Sequence, residues 1–423
     1  MIAAVQRAAF YLTCGSLVTI LFSIALSQLL MGIALAALVV STEEIRFPPV
    51  RLPLALFFLA TVIAALVSGH PMEGLPQIRK FYVFAILLLV YSTFRTLAQI
   101  RGMVLVWAGI GCLSAMSSLV QFFHRYQQAQ QQQIQSYDFY LAVRTTGFAS
   151  HWMTFGAEEM MAALMLAALL FFSRERAGKW FGWTCLPMLL IALVLGLTRS
   201  VFLLGLPLGG AYLLWHWKRW LLIAGVIGAF IAVLTIPLPV RERVLSVVRP
   251  HGEIDSNMHR TITRRTGWEM VKAHPWFGLG PEQIKPHFDE YVPADIPRPL
   301  PPGWYGHLHN IYLQYAAERG VPGLLMILWL IGRFFVDSLS WLRKSATKSE
   351  ARFVWYGAVA VILAILAEGF FEYNLGDSEV LTMFLAVMGW AYSAQRSGAM
   401  ETEGDNVSET MAYAAPAEAG ISR

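Results

Sequence analysis

Charge is scarce in this chain: Asp, Glu, Lys and Arg together make up 14% of 423 residues, too little to clothe a soluble protein of this length. Cysteine is scarcer still. Cys14, Cys112 and Cys185 all fall inside apolar runs, where they read as small buried side chains, so neither a disulfide framework nor a cysteine-based zinc site is available. The first apolar run has no small-residue cleavage site behind it and leads straight into a second, so no signal peptide is expected to be removed. No internal repeat is visible, and no large polar domain follows the last apolar run.

What is abundant is apolar. Hydrophobic residues reach 57%, and fourteen Trp with twenty-six Phe suit interfacial belts. Apolar runs long enough for a hydrocarbon core of roughly 30 Å recur at about 8–24, 26–41, 52–68, 79–95, 101–123, 153–172, 181–197, 200–215, 220–236, 321–337, 353–371 and 379–395. This predicts an all-α polytopic membrane protein of about twelve transmembrane helices. Residues 8–41 are long enough for one tilted helix, but a break at Ser27-Gln28 into two short spans suits their length better.

Basic residues orient the bundle. Arg46 and Arg51, Arg95 and Arg101, Arg174 with Arg176 and Lys179, Lys218, and the basic stretch 343–352 fall in alternate loops, which predicts that these loops and both termini are cytoplasmic. Since the basic residues follow topology, nucleic acid is not an expected partner. An acidic short loop at 372–378, with Glu372 and Asp377, lies on the other side. The chain then divides into nine spans within 1–236 with an outer loop near 124–152, a large periplasmic loop containing short helices at 237–320, three spans within 321–395, and a disordered cytoplasmic tail at 396–423. The glutamine-rich stretch 126–138 reads as a tolerated low-complexity part of the first outer loop.

The large outer loop carries most of the chemistry. Residues 257–273 predict a helix, with Asp255 or Ser256 as its cap and Pro275, Gly278 and Gly280 as its stop. At about 100° per residue, Arg260, Arg264 and Trp268 form one stripe and Arg265 points elsewhere. The segment 297–306, PRPLPPGWYG, is expected to be stiff and polyproline-like, delivering His307 and His309 to a fixed place as an extended H-x-H pair. A short amphipathic helix at 311–319 is expected to lie on the outer surface, started near Asn310, ended by Gly320 in the left-handed conformation, with Pro322 opening the next span.

Several of these residues have plainer readings. An isolated interfacial histidine is more often a polar anchor than a base, and arginines on an external helix are more often a solvated face than a binding site. Arg199, between two apolar runs, can simply snorkel to headgroups. Arg144 and His151 enter the outer face in the same way. Glu158, Glu159 and Glu368 lie inside spans, where carboxylates are costly, and pairing with arginines is their expected role. The two histidines can offer two ligands to zinc, but no third is evident and no metal or other cofactor is expected.

Taken together, His309-Asn310 followed by Tyr312-Leu313, Gly320 and Gly323, Arg264 four residues before Trp268, then His274-Pro275 and Gly278-Leu279-Gly280, and Thr198-Arg199-Ser200 at a span junction resemble the O-antigen ligase and polymerase superfamily of bacterial envelope glycosyltransferases. With the span count, the resemblance covers most of residues 1–395. It departs after Arg199, where Ser200-Val201 replaces the usual small residue and glycine. The resemblance implies a GT-C-like fold in the bacterial inner membrane, embedded among membrane lipids, and transfer of a glycan from an undecaprenyl-diphosphate carrier at the periplasmic face. The acceptor is the lipid A core for ligases, a further repeat unit for polymerases, and a pilin-type protein for a third branch. It also implies His309, Arg264, Arg265 and Arg199 as catalytic residues, with Trp268 and Asn310 binding substrate; Arg144 and His151, from their place at the outer face, and His307, beside His309 in the H-x-H pair, are further candidates for binding substrate.

The residue chemistry agrees. A glycosyl diphosphate already carries a good leaving group, so an enzyme must mainly deprotonate the attacking hydroxyl and neutralise the departing diphosphate. An imidazole suits the first task and guanidinium forks the second. The ligase branch, inverting and metal-independent, is the first expectation. A twelve-span transporter is the rival from another class, but it should show repeated halves and polar groups at the bilayer midplane, whereas the polar clusters here gather on one face.

Overall fold

A computed structural model describes residues 2–41, 45–133, 144–235, 256–301 and 303–413. Every regular element among them is helical. Four helices are long and apolar enough to cross a membrane: Leu75–Thr93, Leu97–Gln131, Trp152–Phe172 and Ile311–Lys344. Ile24–Val40, Arg51–Val67, Lys179–Leu195 and Val201–Trp217 are shorter apolar helices. The expected twelve spans are therefore met in part. A helix of 17 residues such as Ile24–Val40 rises about 26 Å, short of a hydrocarbon core of roughly 30 Å.

Trp152–Phe172 is the axis of the molecule. Every residue from Thr154 to Leu170 is buried, as expected of a helix that is apolar all round and enclosed by others. Around it pack Leu97–Gln131, Lys179–Leu195 and Arg352–Glu368. The first two helices do separate, but at residues 20–23 rather than at Ser27-Gln28, because the Ser23 hydroxyl accepts from the Leu26 amide and starts the second helix there. Leu97–Gln131 carries the first six residues of the glutamine-rich stretch, and Ser378–Tyr413 runs on as helix past residue 396, where a disordered tail was expected. Asp255 and residues 414–423 lie outside the described residues.

The outer loop is fastened to the bundle through a break in Ile311–Lys344. At Gly320 the backbone takes φ 71° and ψ 171°, a positive φ as expected but outside the left-handed helical well. The interruption leaves main-chain groups without helical partners, and the segment after the loop helix supplies them: Leu279 N–H donates to Ala317 O at 2.7 Å, Gly280 N–H to Glu318 O at 3.1 Å, and Val321 N–H to Pro275 O at 2.8 Å. Glycine is required here. A Cβ on Gly320 would lie 2.1 Å from Trp276 O, and one on Gly278 would lie 2.4 Å from the Glu318 carbonyl carbon.

This docking overturns the surface helix expected at 311–319. Ile311 and Gln314 through Gly320 are buried. Within that turn Glu318 and Arg319 form a buried ion pair, and each remaining polar atom finds a partner: Gln314 Nε2 donates to Glu318 Oε1 at 2.9 Å, while Arg319 donates to Thr61 Oγ1 and Gln77 Oε1, both at 3.0 Å. The loop helix Ser256–Ala273 packs across the same half-helix, and Ile262, Met270, Leu308, Ala316 and Ala317 make a small separate core between them.

Candidate active site

The loop helix forms where the hydrophobic and charged periods predict it, and it places Arg260 and Arg264 on the face toward the bundle. Opposite them, Arg199 starts the helical backbone that leads into the π-turn Val201–Gly205, just after the short link 196–198 that follows Lys179–Leu195 and contains Leu197 at φ 52°. Arg199 does not snorkel; it is 7% exposed and donates to Asn257 Oδ1 at 2.7 Å. With Arg260, Arg264 and His309 it lines a cavity of about 420 Å³, whose other wall is apolar: Leu203, Leu204, Phe370 and Phe371.

His309 reaches this cavity by a backbone that is not an extended strand. Its φ is 48°, and the segment before it folds back on itself, with Tyr305 Oη donating to Pro301 O at 2.9 Å. The two histidine rings still lie 4.0 Å apart. His307 Nδ1 accepts the His309 amide at 3.1 Å, so His307 holds the turn. Asn310 straps it down. Its Oδ1 accepts the Leu313 amide at 2.9 Å, capping Ile311–Lys344, and its Nδ2 donates to Phe370 O at 3.0 Å. Both polar ends of Asn310 are thus occupied by structure, although it also borders the cavity.

The sequence reading did not nominate Glu372 or Arg260 for the site. Glu372 Oε1 lies 3.1 Å from His309 Nδ1, and its Oε2 lies 3.6 Å from Arg260 Nη2. Burial pushes the Glu372 carboxyl up, but the hydrogen bond and charge of His309, with Arg260 and His307 behind it, outweigh that and hold it at about 2. Burial and the neighbouring His309 push His307 down to about 3 and His259 down to about 4. The His259 ring stands 5.1 Å from His309, and its Nε2 donates to Trp304 O, 3.0 Å away. His309 Nε2, in contrast, is buried and has no hydrogen-bond partner among the described residues.

Glu372 is also the third group that the sequence did not offer for a cation: ligand atoms of His307, His309 and Glu372 all lie within 4.8 Å of one another. The hydrogen bonds favour another use. His307 Nδ1 is engaged with an amide, the His309 Nδ1 and Glu372 face each other, and Arg260 already brings positive charge.

Other nominated residues stand further out. Arg265 turns away to Asp295, 2.7 Å distant, and with Arg264, Trp268 and Asn310 borders a second cavity of about 480 Å³. Trp268 is half exposed there. Arg144 lies over the Trp152 ring at 5.0 Å, and His151 Nδ1 accepts the Met153 amide at 3.3 Å, starting the central helix. Neither lines the His309 cavity. Glu158, Glu159 and Glu368 form no ion pair with arginine among the described residues; Glu368 accepts from Asn374 Nδ2 at 3.1 Å instead.

No curated protein matches the chain. Residues 183–328 match the family model described as O-antigen ligase, a stretch that contains Arg199, Arg260, Arg264, His309 and Gly320 and ends before Glu372. Over these residues, about a third of its length, the chain is similar to the O-antigen ligase family.

Proposed function

We propose that the protein is an O-antigen ligase that transfers a glycan from undecaprenyl diphosphate to the lipid A-core oligosaccharide at the periplasmic face of the inner membrane. One observation carries the reading. A single cavity joins an imidazole nitrogen with no partner, three arginines and an apolar wall of Leu203, Leu204, Phe370 and Phe371. That combination fits a substrate with a diphosphate between a sugar and an isoprenoid chain.

In the reaction, His309 Nε2 takes the proton of the acceptor hydroxyl as its oxygen attacks the anomeric carbon. The bond from that carbon to the diphosphate breaks, and undecaprenyl diphosphate leaves with the electron pair. Arg199, Arg260 and Arg264 neutralise the charge that develops on it. One displacement inverts the anomeric centre. The arginines supply the positive charge that a divalent cation provides in other glycosyltransferases, and the reading is therefore metal-independent.

Reconstitution of the purified protein with carrier-linked glycan and lipid A-core tests the reading, with glycosylated lipid A-core as the expected product. A longer glycan on the carrier would assign a polymerase, and transfer to neither would end the transferase reading. Orientation has its own test. In a chain whose native cysteines are replaced, a cysteine at the exposed position 289 reacts with an impermeant thiol reagent once the outer membrane is permeabilised. Labelling only after the inner membrane is opened would reverse the topology.

A further inference from the structure

We infer that Glu372 is a positioning residue for the transfer: its carboxylate fixes His309 in the tautomer that carries its proton on Nδ1, so that the Nε2 lone pair faces the cavity. This rests on the reading of His309 as the base. The geometry is that of a buried dyad. His309 Nδ1 and Glu372 Oε1 are 3.1 Å apart, the two side chains are 11% and 6% exposed, His309 lines the cavity, and its Nε2 is buried with no partner among the described residues. A neutral imidazole has one donor and one acceptor nitrogen, and an ionised carboxylate can only accept. The contact therefore assigns the donor role to Nδ1 and the acceptor role to Nε2.

Among the described residues nothing else near His309 can do this. The groups facing it are His307 from its own segment, His259 and Arg260 from the loop helix, His151 from the start of the central helix with Arg144 beyond it, and Glu372. Glu372 is the one anion in contact among the described residues. It also anticipates the charge of the reacting state: when Nε2 accepts the acceptor proton, the imidazolium so formed already faces a carboxylate, and the proton stays on the imidazole. Arg260, 3.6 Å from the other carboxylate oxygen, keeps Glu372 turned toward His309 while its own fork borders the cavity.

Glu372 lies outside the stretch that matches the family model, on the loop that follows Arg352–Glu368. Two hydrogen bonds hold that loop to the histidine segment: Ile311 N–H donates to Gly369 O at 2.8 Å, and the Asn310 side-chain Nδ2 donates to Phe370 O. The position of Glu372 is thus fixed relative to His309 by contacts independent of the carboxylate itself, and an isosteric replacement can remove the charge while keeping the place.

The experiment is Glu372→Gln, with Glu372→Asp beside it, in the reconstituted system. Two quantities are read: the pH dependence of kcat/KM, and the titration midpoint of His309 from exchange of its imidazole C2 proton followed by mass spectrometry, which needs no turnover. Loss of the anion should lower the His309 midpoint, move the acid limb of the rate profile down with it, and cut kcat about 10²-fold with KM changed little. Glu372→Asp should keep the acid limb near its native position. If Glu372→Gln leaves the His309 midpoint unmoved, the positioning role is wrong, whatever happens to kcat. If the midpoint falls but the acid limb stays, the contact stands and His309 is not the base.

Discussion

Two buried acid–base clusters stand near the outer loop, and they differ in one respect. Around Glu318 and Arg319 every charged atom has a partner: Gln314, Thr61, Gln77 and the ion-pair contact itself account for all of them, and Tyr315 and Phe57 cover the guanidinium face. Around His309 and Glu372 the partners run out. His309 Nε2 and Glu372 Oε2 have no hydrogen-bond partner among the described residues, and His309 lines a cavity. A closed network rigidifies; an open one leaves capacity for a substrate, at the cost of some stability. The first cluster has the make-up of scaffold and the second is the site proposed for chemistry, although both are built from one carboxylate and one arginine beside a loop.

The sharpest way to break this contrast is Glu318→Ala. It strands the Arg319 charge in a buried site, which costs about 3–5 kcal/mol, so the unfolding midpoint followed by tryptophan fluorescence in detergent should drop steeply and transfer should fall only with the folded fraction. A native midpoint would remove the scaffold role. His309→Ala should do the reverse: transfer falls at least about 10²-fold while the midpoint moves far less than in Glu318→Ala. Turnover near the native rate at saturating donor and acceptor would remove the base.

Smaller effects test the arginines. Arg264→Lys and Arg199→Lys keep the charge but lose the fork, and each should raise the KM for carrier-linked glycan roughly tenfold. Arg265→Lys, at an exposed contact with Asp295 away from His309, should change it least; equal loss at all three would return Arg265 to the diphosphate site. Exhaustive chelation should leave the rate unchanged. A loss that added magnesium or manganese restored would show that the arginines do not suffice and that the His307, His309 and Glu372 group is worth testing as a cation site.

Much of this contrast was legible in the sequence, but unevenly. His309, Arg264 and Arg199 carry motifs in a recognisable order, and the stripe through Arg260, Arg264 and Trp268 follows from helical spacing alone. Glu372 is 63 residues beyond His309, in a short loop whose acidity had a sufficient explanation in topology, so only the fold brings the two together. The Glu318–Arg319 pair was hidden for the opposite reason. Adjacent charges on an amphipathic half-helix read as a solvated face, and the sequence does not disclose that the segment after the loop helix will dock into the break at Gly320 and cover them.

That docking turns chain length into a measuring device. Residues 275–280 and 317–321 share one fixed point, from which the arginine helix extends backward to Arg264 and the half-helix backward to His309. The separation of base and guanidinium is therefore counted out in residues along two arms from a common origin. Removing one residue from the helical part of either arm turns its working face by about 100° and draws it in by about 1.5 Å, whereas residues added within 285–301, outside both arms, leave the count untouched. A homologue can vary freely in that second region and still keep its two arms equal in length to these.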